Sequence, residues 1–374
     1  MKKIFLSLVL LSLVFVSGCT DFPGMESLFG PGEGGEKVVE ESPDILVIEN
    51  KNIIPNPPIN ANDDFTLSFT VKNQDDISEV ENVEMQLYDW GVCKPGDNAD
   101  FTSETGKYTK PLGAGGTLSP QQEDYVELEF TSPDNDQIAE MEATCPVRYR
   151  VNYDYEAKTQ VDMMVISKEE LKQKERAGES VYFTPTETIG RGPIKVYIRF
   201  GKSSPVETGE VLPVFIDIED KGSGSIGSEI KNEVGGEVLR FYVPIDFTVI
   251  KECNKLTLLE ETETEGNMEY NIWELKEHAC HIKPDRTDEN TENFCNGKST
   301  KEECENADFS VCYWEGESIA MVKKKSSPQI RCSFTVPSEK YVHVQKTYNF
   351  YADMSYSYNL DGEDEIKIKP TLEV

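Results

Sequence analysis

Histidine is nearly absent from this chain, with three residues in 374. That shortage removes most ways of building a Ser–His or Cys–His nucleophile pair, which needs an imidazole base. His343 has no nucleophile motif beside it. His278 and His281 flank Cys280, and zinc accepts such ligands, but Cys280 is also needed for even disulfide pairing. No C-x-x-C pair occurs and no N-x-S/T sequon occurs, so neither a thiolate zinc knuckle nor ordinary N-glycosylation is indicated. Positive charge is scarce: 37 Lys and Arg face 69 Asp and Glu. A chain of that sign cannot neutralise nucleic-acid phosphates, and its body is repelled by anionic lipid. It suits solubility and high salt. No metal, cofactor or nucleic acid is therefore expected.

The longest apolar run is also short. Ile4 to Val16 follows Lys2 and Lys3 and is broken only by Ser7 and Ser12. It falls below the roughly 20 residues needed to span a bilayer as a helix. With Ser17-Gly18 before Cys19 it has the charged, apolar and small-residue regions of a secretory signal. The segment Leu13 to Cys19 resembles the lipobox of prokaryotic lipoproteins, with Val16 where that box favours Leu. The resemblance implies cleavage after residue 18 and a lipid on Cys19, hence a membrane contact through that residue. The alternative is an ordinary signal peptide with an incidental cysteine. Removing residues 1–18 takes two lysines and no acid, leaving 35 basic against 69 acidic residues and a net charge of −34.

Nine cysteines are present, and an odd count outside the cell asks which thiol is spare. Lipidation of Cys19 leaves eight, an even set in a compartment where disulfides persist.

What is abundant is period-two alternation, the mark of half-buried strands. Phe65, Leu67, Phe69 and Val71 alternate, as do Val83, Met85 and Leu87; Val126, Leu128 and Phe130; and Val147, Tyr149, Val151, Tyr153 and Tyr155. After residue 192 the pattern returns at Ile194, Val196 and Ile198, at Val214, Ile216 and Ile218, and from Tyr348 to Tyr358. Ile366 and Ile368 predict a separate last strand. Residues 20–43, rich in Gly, Pro and Glu, predict a stalk. Ser167 to Glu170 is a capping box for a short helix ended by Gly178. The expected fold is all-β: sandwich one over 44–166, a helical connector over 167–191, and sandwich two over 192–374.

The two bodies repeat one plan. ILVIENKNIIP (45–55) matches IKVYIRFGKSSP (194–205), FTLSFTVKN (65–73) matches VLPVFIDIED (211–220), and each then runs to a cysteine, Cys93 or Cys253. Cys145 and Cys332 each precede a tyrosine-rich strand. This register predicts Cys93–Cys145 and Cys253–Cys332 as one duplicated bridge. The segment Phe69 to Asn73 (F-T-V-K-N), after the extended I-x-P-N-P run at 53–57, is similar to the CARDB-like and S-layer-associated Ig-like domains of archaeal surface proteins. The resemblance implies β-sandwiches with adhesive, spacing or scaffold roles. Asp220 replaces the Asn in the second repeat.

Residues 260–329 read as a disulfide-rich insertion. It holds Cys280, Cys295, Cys304 and Cys312, with Cys295–Cys312 and Cys280–Cys304 as the expected pairs. Tyr313 and Trp314 are expected over the bridges as a binding knob. Gly222 to Gly227 fits G-x-G-x-x-G, but in an all-β setting it reads as a loop. Asp361, Glu363, Asp364 and Glu365 read as a charged turn at Asp361-Gly362 rather than a calcium loop.

The function expected is a non-catalytic, lipid-anchored surface protein that binds an envelope protein or glycan. The rivals are an exported ligand-binding subunit and a hydrolase using paired carboxylates. A flat apolar patch would favour the partner, and a concave cleft with perturbed carboxylates would favour the enzyme.

Overall fold

Alternation along the chain becomes, among the described residues, 23 strands and a helix in a computed structural model. It describes residues 43–371 apart from 97, 99, 105, 227–228, 232–237, 252, 276–278, 283–311, 316–317 and 322–324. Residues 1–42, which hold the expected leader, Cys19 and all but the last residue of the expected stalk, lie outside the described residues.

The first half holds β1 (Leu46–Ile54), β2 (Ile59–Asn60), β3 (Asp64–Asn73), β4 (Glu81–Asp89), β5 (Lys94–Pro95), β6 (Thr102–Glu104), β7 (Lys107–Pro111), β8 (Glu123–Thr131) and β9 (Ala143–Ile166). Helix α1 (Lys168–Ala177) follows. Ser167 Oγ accepts the Glu170 N–H and Gly178 ends the helix at φ 72°, but the Ser167 N–H donates to the Val344 carbonyl at 2.8 Å, so the cap lacks the return bond of the expected capping box. No residue of α1 is buried. The second half holds β10 (Glu187–Ile189), β11 (Ile194–Phe200), β12 (Val206–Glu207), β13 (Val211–Asp220), β14 (Glu229–Lys231), β15 (Val238–Pro244), β16 (Thr248–Lys251), β17 (Leu256–Glu265) and β18 (Met268–Leu275). Then come β19 (Ala279–Ile282), β20 (Cys312–Glu315), β21 (Ser318–Ala320), β22 (Ile330–Thr335) and β23 (Gln345–Lys369).

Two four-stranded sheets, β1-β3-β8-β5 and β11-β13-β22-β16, face the two halves of one long sheet, β17-β18-β15-β23-β9-β4-β7-β6. Buried aromatics fill the space between layers. Phe69 stacks on Tyr149 at 4.5 Å between centroids, and Phe334 meets Trp273 at 6.2 Å. The fold is all-β, a pair of Ig-like sandwiches. In each, four strands take the A, B, E and D places. In the first, β4 and β9 supply C and F, and the C-terminal half of β23 lies in the G place. In the second, β15 and β23 supply C and F, and the C-terminal half of β9 lies in the G place.

The two sandwiches are therefore not beads joined by a connector. β9 and β23 pair antiparallel without a break from Ala143↔Ile368 to Ile166↔Gln345, and Pro43–Val374 is one compact unit. A pseudo-twofold passes through the pair Asp154↔Ser357. Val165 and Ile368 stand equally far beyond it, each holding a short parallel strand through Val206 and Ile59.

Three expectations change. The last strand is not separate, because Asp361↔Arg150 and Glu363↔Arg148 continue the ladder where a turn was expected. Arg148 and Arg150 face those acids as cross-strand ion pairs, at 2.9 Å to Glu363 and 2.7 Å to Asp361, which favours strand over turn. Gly362 serves close approach instead, since a Cβ there would meet the Tyr149 ring at 2.3 Å. The insertion begins later than 260, because β17 and β18 form a hairpin beside β15, as β6 and β7 do beside β4.

Candidate functional site

The cysteines fix where the layers are tied. Cys93 bonds Cys145 with Cα atoms 5.8 Å apart, and Cys253 bonds Cys332 at 4.2 Å. The two are not one duplicated bridge, because the repeat register does not superpose them. Lys94 pairs with Thr131, itself opposite Asp64, while Thr248 pairs with Thr335, itself opposite Val211. Lys94 thus corresponds to Thr248, and Cys93 to Phe247. On the long strands Cys145 corresponds to Tyr348, equally far from the twofold. Phe247 and Tyr348 pack edge-to-face at 5.1 Å, so an aromatic pair stands where the first sandwich has its bridge. Cys332 lies on β22 opposite Val214 and corresponds to Leu128, opposite Leu67.

Cys19, Cys295, Cys304 and His278 lie outside the described residues, and with them the expected pairs Cys295–Cys312 and Cys280–Cys304. The backbones of β19 and β20 pair Cys280 with Trp314, His281 with Tyr313 and Ile282 with Cys312. His343 is exposed in the bend before β23, not in a strand. Gly222 and Gly224 lie in a loop along β23, where a Cβ on Gly224 would meet the Asn359 carbonyl oxygen at 2.1 Å; Gly227 is outside the described residues. Among the described residues no group of three or more His, Cys, Asp or Glu is placed to hold a metal ion. No helix there is long and apolar enough to cross a membrane.

Two concave regions adjoin at Lys158 and Gly190. The larger, about 680 Å³, is a notch between β4 and β10, lined by Asp75, Ser78, Glu79, Glu81, Glu156 and Arg191 among others. Asn73, buried at the end of β3, donates its amide to the carbonyls of Ser78, Leu118 and Ser119 at 3.0, 3.0 and 3.1 Å. The same side chain accepts the Asp75 N–H at 2.9 Å. Asp75 in turn accepts the Ile77 N–H at 2.9 Å and the Tyr155 hydroxyl at 2.7 Å. Arg191 bonds Asp75 at 3.3 Å and also bonds Asp76. Burial works to raise the Asp75 pKa, but the Tyr155 hydroxyl and the backbone of Ile77 and Ser78 outweigh it, and the carboxyl sits below its ordinary value. Tyr155 is pushed up to about 12 by burial and by Asp75.

The smaller region, about 360 Å³, lies on the outer face of the long sheet. Tyr242, Tyr270 and Ile272 form a satellite cluster there, with Tyr351 against it. Tyr270 and Tyr351 meet edge-to-face at 5.3 Å. Tyr242 donates to Asp353 at 2.8 Å. Burial raises the Asp353 pKa, the Tyr242 hydrogen bond opposing it. Sequence reading missed both regions. Their residues come from the outer face of the long sheet, which alternation marks as wet, and, in the larger region, from the loops after β3 and β10 as well.

No family model and no curated protein matches the chain. The solved structures it is similar to include three at low values. Chitinase ChiA74 from Bacillus thuringiensis is 12% identical at a TM-score of 0.16, over 78% of this chain and 26% of that one. A putative membrane anchored protein from Corynebacterium diphtheriae is 9% identical at 0.20, over 87% and 91%. The partial N-terminal region of an enterococcal surface protein is 7% identical at 0.17, over 78% and 83%. The chain spans about a quarter of the chitinase. At these TM-scores the likenesses carry no argument about what this chain does.

Proposed function

We propose that this chain is an exported surface protein, cleaved before Cys19 and held on the outer face of a membrane by lipid on that sulfur. Its paired sandwiches serve as a non-catalytic scaffold that meets an envelope protein or glycan. The observation that carries the reading is the state of the cysteines. Cys93, Cys145, Cys253 and Cys332 are closed as disulfides inside the folded body, chemistry that belongs to oxidising compartments. The segment from Lys2 to Cys19 supplies the matching export signal. Intact-mass measurement of the native protein tests it. A mature N-terminus at Cys19 carrying acyl mass is expected, with Cys19→Ser shedding the protein from the membrane fraction. A mature chain that starts elsewhere, or an unmodified Cys19, overturns the anchor.

One observation favours a second reading. Asp353, raised by burial inside a tyrosine-lined cleft, has the environment of a general acid. A hydrolase acting on a glycan would use it with Glu263 or Glu265, which line the same cleft. Release of reducing ends from envelope polysaccharide, abolished by Asp353→Asn, would establish that reading. Equal release by the variant and the parent would remove it.

A further inference from the structure

We infer that the notch beside Glu156 is a docking slot for an extended, lysine- or arginine-bearing segment of a partner protein. The backbone comes first. On its outer side β9 is paired at Asp154 with Glu81 and at Gln160 with Thr188, and the Lys158 carbonyl accepts the Gly190 N–H at 2.7 Å. Glu156 lies between them with the same orientation, since side-to-side direction alternates along a strand. Its Cα partner on the β23 side is Ser355, and on the outer side no strand or loop residue among the described residues pairs with its N–H and C=O. An unpaired strand position of this kind is a template for another strand.

The other half of the molecule shows such a position filled. The twofold carries Glu156 onto Asn359. There Ser225 donates its N–H to the Asn359 carbonyl at 2.9 Å and accepts the Asn359 N–H at 3.0 Å. Asn73 and Asp220 end the equivalent strands β3 and β13, so Ser78 corresponds to Ser225. Ser78 makes no such pair with Glu156, and its carbonyl instead accepts the Asn73 amide at 3.0 Å. The first half thus keeps open a gap that the second closes with its own loop.

Charge then selects the occupant. Glu79, Glu81, Asp154 and Glu156 line the notch. Arg191 is engaged by Asp75 and Asp76, and Lys158 by Glu156 at 2.9 Å. A strand adding here would gain main-chain hydrogen bonds from Glu156 and would meet carboxylates with its side chains, the division of labour in β-augmentation. Ile77, 76% exposed at the rim, offers an apolar contact. The backbone pair is what distinguishes a peptide from a free cation.

This deepens the partner-binding part of the proposed function, and its test is independent of the lipid. The full mature chain, purified in detergent, is titrated with an N-acetylated, C-amidated hexapeptide of alternating serine and lysine. The same peptide with every amide N-methylated and spermidine serve as comparison probes. The expected result is binding by the first peptide, weakened about tenfold or more on N-methylation, as loss of one or two hydrogen bonds gives. Amide exchange at Glu156 is expected to slow on binding. Glu156→Pro removes the N–H without costing a ladder bond and should lose the same affinity, while Glu156→Ala should retain most of it. Absence of peptide binding overturns the slot, and so does binding unaffected by N-methylation or matched by spermidine. Either failure leaves the acyl mass on Cys19 untouched as a separate question.

Discussion

Phe247 and Tyr348 hold in the second sandwich the places that Cys93 and Cys145 hold in the first. The two solutions stabilise by different means. The Cys93–Cys145 bridge closes a loop of sequence separation 52, which on chain-entropy grounds contributes about 4 kcal/mol. The aromatic pair acts through burial, and Phe247 also packs on Phe350 at 5.1 Å. Phe247→Ala is therefore expected to cost about 3–5 kcal/mol, read as a fall in the urea midpoint at unchanged slope. A second residue-scale prediction concerns Asp353. Its native pKa is raised above the unfolded value, so ionisation costs more in the folded state. That cost is fully present above the native pKa and vanishes as pH falls through it towards the ordinary 3.8. Asp353→Asn, which still offers Tyr242 an acceptor, should raise the urea midpoint at pH 7. The gain should shrink on acidification and be absent below about pH 3.8; a gain constant with pH would contradict the assignment.

Single strands were legible wherever one face is dry. Phe65 to Val71, Val83 to Leu87 and Val126 to Phe130 show the alternation in sequence and the matching burial in β3, β4 and β8. Ser167 and Gly178 bounded α1 for reasons local to the chain. Legibility failed at Asp361-Gly362, because a turn preference is local, whereas Arg148, Arg150 and the Tyr149 ring are more than 200 residues away in sequence. It failed again in the matching of cysteines by order, since Phe247 carries no chemical mark of equivalence to Cys93. At this scale β23 makes its own prediction. Ending the chain after Asn359 leaves the β4 ladder of Arg148–Val151 in place, but it removes the strand in the G place of the first sandwich and strips the β23-facing amides of Ala143–Val151 of their partners. It also unseats β2. Hydrogen exchange should show those amides losing protection, while Phe241 and Tyr242, paired with Ala352 and Tyr351, keep theirs. Equal protection in truncated and full chains would deny β23 its role in the first sandwich.

At the scale of the whole molecule the repeat was visible but its consequence was not. Two similar stretches of sequence suggest two independent domains, and nothing in the alternation of Tyr149 to Tyr155 or Ala352 to Tyr358 tells which strand each will pair with. The structure pairs them with each other, Tyr153 against Tyr358 and Tyr155 against Tyr356. The open notch follows from that arrangement, because a gap can exist beside Glu156 only on a strand long enough to run past β4 and on to β10. Each sandwich also depends on the other for its G strand, so opening one exposes the buried face of a strand that serves both. Val161, Met163 and Val165 near the end of β9 are buried in the second body, and Val147, Tyr149 and Val151 near its start in the first. Unfolding either body alone would have to end the ladder of β9 and β23 in mid-strand near Asp154↔Ser357, where it otherwise runs unbroken, and would expose the edges of β9 and β23 at that break, which is costly. The expected outcome is a single cooperative transition with the disulfides intact: calorimetric and van't Hoff enthalpies agree, and tyrosine absorbance and far-ultraviolet dichroism change together. Two resolved transitions, each accounting for about half of the enthalpy, would instead mean that the shared sheet parts readily at Asp154 and Ser357, and that the sandwiches behave as neighbours rather than as one folding unit.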